Sequence, residues 1–96
     1  MRRSNTQPLK EVIQEYLEAL KMKQKIKEVS LLSSWEEVVG KTISRSTSDI
    51  YIKNKKLYVI LKSSVIRNEL LLIKDQLIKK LNEAVNANVI YEIILK

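Results

Sequence analysis

The hydrophobic period of this chain changes three times along its length, and that succession excludes an all-helical bundle and an all-β barrel alike. Leu9, Val12, Ile13, Tyr16, Leu17 and Leu20 recur at helical spacing. From Ser48 to Lys62 apolar and polar residues alternate, the period of a half-buried strand. Helical spacing returns with Ile66, Leu70, Ile73, Leu77, Leu81 and Val85, and alternation returns over Val89–Leu95. Helices mixed with short strands in this order predict an α+β fold of two layers, with a three-stranded sheet.

The elements are read as helix, helix, strand, strand, helix, strand. Residues 1–7 are polar and are expected to form a flexible N-terminus, with residues 8–96 as a single domain. Thr6 and Pro8 suit the start of the first helix. Glu11, Glu15 and Glu18 mark its outer face. The four lysines of Lys21–Lys27 stand at alternate positions, which suits a strand, yet helical patterns lie on both sides. A second helix is expected over Ile26, Val29, Leu32, Trp35, Val38 and Val39, ending around Gly40. Lys41–Arg45 adds one further turn.

Strands Ser48–Lys53 and Lys56–Lys62 flank Asn54-Lys55, a two-residue hairpin turn. That register sets Ile52 opposite Leu57 and Ile50 opposite Val59 on one face. Tyr51 meets Tyr58 and Lys53 meets Lys56 on the other. Two lysines directly opposed are mildly unfavourable. Ser63 or Ser64 caps the third helix. In the last strand Val89, Tyr91, Ile93 and Leu95 point one way, and Ile90, Glu92 and Ile94 the other.

Composition removes whole classes of chemistry. The chain has no Cys, no His, one Gly and one Pro. Disulfides, Cys/His zinc sites, His general bases and Cys nucleophiles are therefore impossible. One glycine cannot build a phosphate-binding loop. Glu36 and Glu37 diverge by about 100° on a helix and cannot work as paired acid and base. Glu11, Glu15 and Glu18 have spacings that suit a divalent cation, but acidic residues are common near helix N-termini and read as solvated charge. No catalytic residue, metal or cofactor is expected. The basic start Met1-Arg2-Arg3 precedes no apolar stretch of signal-peptide length, and the longest apolar run is Leu57–Leu61. A cytoplasmic location, with no membrane contact, is the expectation.

Charge points toward a partner. Lysine and arginine number 18 against 11 acidic residues, a net charge of +7. Lys41, Arg45, Lys53, Lys55, Lys56 and Lys62 fall within residues 41–62, where Asp49 is the one acid. Clustered lysines attract phosphate without sequence preference, and Tyr51 and Tyr58 are suited to stack bases beside them. The other reading is a protein-interaction module whose basic surface serves solubility. Trp35, the sole tryptophan, reads as a core anchor or a partner hot spot.

Trp35-Glu36-Glu37-Val38-Val39-Gly40, with Thr47 entering a strand, resembles the tryptophan–valine–glycine signature of the DciA-like family. The resemblance continues through Leu57-Tyr58-Val59, Ser63-Ser64, Glu69-Leu70 and Leu81-Asn82, over roughly residues 26–95. It places the signature on Trp35, Val39, Gly40, Thr47, Ser64, Glu69 and Leu70, all in structural roles. It implies a KH-like domain that assists loading of the bacterial replicative helicase on DNA, with non-specific single- or double-stranded DNA as a further partner. Lys55 stands where such proteins often have Gly, and Ile66 where they often have Trp. The long basic extension that many carry is not found before the sequence stops at Lys96. A GxxG clamp cannot be built from one glycine, so KH-type RNA reading is not implied.

Overall fold

The computed structural model describes residues 6–96, with side chains from Leu9 onward. Helix α1 runs Thr6–Ser33 and is followed by two short helices, α2 (Trp35–Val39) and α3 (Lys41–Arg45). Strands β1 (Thr47–Lys53) and β2 (Lys56–Leu61) form the hairpin. Helices α4 (Ser64–Leu72) and α5 (Lys74–Ala84) then lead back to β3 (Glu92–Leu95). The sheet order is β1-β2-β3, antiparallel between β1 and β2 and parallel between β2 and β3. The α+β class and the three-stranded sheet agree with the sequence.

Four boundaries differ from expectation. The first expected helix and the start of the second are one, and the rest of the second, Trp35–Val39, is the separate helix α2. Residues 9–33 contain neither Gly nor Pro, and lysine is a good helix former, so nothing breaks the chain at Lys21–Lys27. Side-chain pairs support the join, with Glu18 3.8 Å from Lys21 and Gln24 donating to Glu28 at 3.4 Å. Continuity also resets the phase of the buried face. Lys27, Glu28, Leu31 and Leu32 turn toward the body, and Ile26 and Val29 stay exposed. The helix ends where the Ser34 hydroxyl and N–H both donate to the Ser30 carbonyl. The expected flexible segment 1–7 falls mostly outside the described residues, and Thr6 and Gln7 open α1.

The third expected helix is broken at Ile73 (φ −117°, ψ 23°). Leu70, Leu77 and Leu81 keep one buried face across the break, while Leu71, Leu72 and Ile73 are left exposed. The final strand begins only at Glu92. Val89 and Ile90 are both buried, which strand alternation forbids, because Asn82 holds this stretch in a bend. Its Oδ1 accepts from Val89 N and Ile90 N at 3.0 and 3.1 Å, and its Nδ2 donates to the Ile90 carbonyl at 2.8 Å.

The core joins Leu31 and Trp35 to Leu57, Val59 and Leu61 of β2, to Leu70, Leu77 and Leu81, and to Ile93. The inner faces of β2 and β3 thus pack on the helices, and no layer among the described residues covers the outer face of the sheet. Lys27 Nζ donates to the Val85 carbonyl at 2.9 Å, placing a cation at the C-terminus of α5. Beyond that anchor α1 leaves the body, and the molecule measures 65 × 21 × 20 Å. No helix among the described residues is long and apolar enough to cross a membrane.

Candidate nucleic-acid interface

The hairpin turn builds one end of the open sheet face. Asn54 and Lys55 both adopt positive φ, 53° and 61°, the conformation whose twist matches that of the flanking strands. The resulting pairs are Ile50–Val59, Tyr51–Tyr58, Ile52–Leu57 and Lys53–Lys56, as the alternation predicts. Leu57 and Val59 are fully buried, so Tyr51, Lys53, Lys56 and Tyr58 share the outer face. The two tyrosine rings stack at 4.9 Å between centroids, 8° from parallel.

Strand β3 completes that face with residues outside the expected site. Parallel pairing sets Lys56 beside Glu92 and Tyr58 beside Ile94. Lys96 Nζ lies 5.6 Å from the Tyr58 ring centroid. Because β2 is the central strand, Tyr58 is held between the Tyr51 ring on one side and the Lys96 ammonium on the other. The ring face left open belongs to Tyr51, on the edge strand. Lys96 escapes a reading of the hairpin alone, since its place depends on the register between β2 and β3.

Two acids lie on this face: Asp49, paired with Ile60 toward the end of β1 away from the hairpin tip, and Glu92, whose charge is already engaged. The Ile93 N–H donates to its Oε1 at 2.9 Å, and Lys74 Nζ lies 3.1 Å from the same oxygen. The Ile93 hydrogen bond, with the Lys74 ammonium second, holds the Glu92 carboxyl below its ordinary pKa. Lys53, Lys55 and Lys56 therefore cluster at the hairpin tip with no acid committed to them by an ion pair among the described residues.

The eight expected contact residues separate into two groups. Tyr51, Lys53, Lys55, Lys56 and Tyr58 come together. Lys41 and Arg45 lie on α3, before the opposite end of β1, and Lys62 joins them there, its N–H donating to the Ser46 carbonyl at 2.8 Å. Seven residues of β1 separate the groups by roughly 20 Å.

The expected signature residues lie elsewhere. Trp35 is buried, and its Nε1 donates to Thr47 Oγ1 at 3.1 Å; that hydroxyl in turn donates to the Ile43 carbonyl at 2.9 Å. Gly40, at φ 92° and ψ 166°, joins α2 to α3, and a Cβ there would meet no atom within 4 Å. Backbone conformation, not space, demands the glycine. Val39 packs against the core and Leu70 is part of it, whereas Ser64 and Glu69 are exposed. The cap of α4 is Ser63, whose hydroxyl accepts from Ile66 N at 3.2 Å.

No curated protein matches the chain. Over residues 8–95 it matches the family model described as Dna[CI] antecedent, DciA, a family associated with helicase loading in replication. A match over nearly the whole length, on a fold of the expected class, settles the relationship: the chain belongs to the DciA family.

Proposed function

We propose that this protein is a non-enzymatic, cytoplasmic accessory of bacterial DNA replication that engages the replicative helicase and touches nucleic acid weakly through the open face of its sheet. The observation that carries the nucleic-acid part is the row Tyr51–Tyr58–Lys96, bordered by Lys53, Lys55 and Lys56. Lysines of this density release counterions from a phosphate backbone, and the uncovered ring of Tyr51 offers a base a stacking partner. No groove-reading element accompanies them, so affinity on the order of 10⁻⁴–10⁻⁶ M and little base preference are expected. Lys41, Arg45 and Lys62 supply a second, separate phosphate contact.

Fluorescence anisotropy with labelled single-stranded DNA at several salt concentrations tests this. Lys53/Lys55/Lys56→Glu should abolish most binding, and Tyr51→Ala should weaken it more than Tyr58→Ala. Removing three phosphate contacts should reduce the salt slope by about 2. Unchanged affinity in the folded triple variant would remove the sheet face from nucleic-acid binding. Binding of the purified helicase by a chain with no DNA affinity would favour a protein-interaction module, the reading that the uncovered apolar residues of α1 support.

A further inference from the structure

Helix α1 carries two lines of apolar residues, and the body of the protein covers only the C-terminal part of one. Ile13, Leu17 and Leu20 continue through Gln24 and Lys27 to Leu31, a row that meets the body from Gln24 onward and is exposed before it. A second line, Val12, Ala19, Met22, Ile26 and Val29, advances by seven, three, four and three residues, the a/d spacing of a helix pair. Every member is exposed, including Ile26 and Val29 on the half of α1 that is anchored. This line therefore faces away from the body, with room for another helix along it.

We infer that this line docks against α1 of a second copy of the chain, the two helices running antiparallel. The charge distribution selects both partner and direction. Residues 9–20 carry Glu11, Glu15 and Glu18 against Lys10, whereas residues 21–32 carry Lys21, Lys23, Lys25 and Lys27 against Glu28. An antiparallel pair lays each acidic half along a basic half, and a parallel pair would set lysines beside lysines. Apolar register agrees. Val12 falls opposite Val29 and Ala19 opposite Met22 of the second copy, each layer occurring twice through the two-fold axis. Glu15, which interrupts the line, falls opposite Ile26, where a parallel pair would oppose it to its own copy. Flanking the seam, Glu18 meets Lys25 and Tyr16 meets Lys23.

The contact spans 18 residues, about 27 Å of helix, which is short for a two-stranded pair. The dimer is therefore weak, and its dissociation falls in the micromolar range. It leaves the open sheet face free and does not depend on nucleic-acid binding there.

Sedimentation equilibrium of the full chain across the micromolar range should show a monomer–dimer equilibrium, and a monomer throughout would overturn the inference. Ile26→Glu should weaken association roughly 100-fold without loss of helicity, since the residue contributes nothing to the core. Unchanged association in that variant would equally overturn it. Glu18→Lys alone should weaken the dimer, and adding Lys25→Glu in the same chain should restore it; no restoration would reject the register. The chain has no cysteine, so introduced thiols report cleanly. Val12→Cys with Val29→Cys should give a disulfide-linked dimer under mild oxidation, because the two positions lie about 26 Å apart within one helix and cannot close on themselves. Cross-linking by Val12→Cys alone would show a parallel pair and reject the antiparallel one.

Discussion

In α5, Leu77 and Leu81 stand four residues apart and are 4% and 0% exposed. In the first half of α1, Leu9, Val12, Ile13, Tyr16, Leu17 and Leu20 show a stronger amphipathic pattern, yet all are 45–65% exposed. Both helices obey the same periodicity, so periodicity alone did not decide burial. What separates them is attachment. α5 is roofed by the sheet and tied at its end by Asn82 and Lys27, whereas α1 before Gln24 has none of the described residues of the body packed against it. An apolar stripe records that a helix expects a partner without recording whose.

Trp35→Ala should cost about 3–5 kcal/mol, because it empties the junction of α1, β1 and α2 and removes the indole N–H that the Thr47 hydroxyl accepts from. Chemical denaturation followed by circular dichroism reads this; a near-unchanged midpoint would place the indole outside the core. Leu81→Ala should cost roughly 2–5 kcal/mol, whereas Leu17→Ala should stay within about 0.5 kcal/mol. Equal losses from these two leucines would erase the distinction between the helices. Asn82→Ala should cost about 1–3 kcal/mol, because Val89 N and Ile90 N lose their acceptor while part-buried. Amide exchange should then rise at Val89, Ile90 and β3 but not in α1.

The smallest effect concerns pH. Glu92 has a folded pKa below its ordinary value of 4.5, so the folded state prefers the carboxylate. Its stabilisation is complete above the unfolded pKa and disappears as pH falls through the lower, folded one. Because the side chain is 39% exposed, solvent screens the pair and the effect is slight. Glu92→Gln should flatten the acid limb of a plot of stability against pH, and an identical limb in the variant would assign it to other carboxylates.

How much of this was legible beforehand follows from how local each feature is. The hairpin register needed only residues 50–59 and a two-residue turn, and all four expected pairs formed. The short helix Lys41–Arg45 and the cap at Ser63 were also written locally. Lysine alternation over 21–27 resembled a strand because period two can arise by chance in seven residues, and helix continuity overrode it. The bend at Val89–Tyr91 was hidden, since it depends on an amide several residues upstream. The same holds for the candidate site. Its tyrosine–lysine core lies within the hairpin, whereas Lys96 enters through a non-local ladder, and the separation of Lys41, Arg45 and Lys62 from the tip reflects the length of β1.

The order β1-β2-β3 also sets a timetable for folding. The β1–β2 ladder closes a two-residue loop, an event of roughly 1–10 μs for hairpins. The parallel β2–β3 ladder must first bring together residues separated by two helices and the Asn82 bend. That closure carries a larger entropic cost and is repaid only when α4 and α5 have docked. The central strand should therefore acquire its two neighbours at different times. Substitutions at the Tyr51–Tyr58 pair should slow folding, and those in β3 should mainly accelerate unfolding.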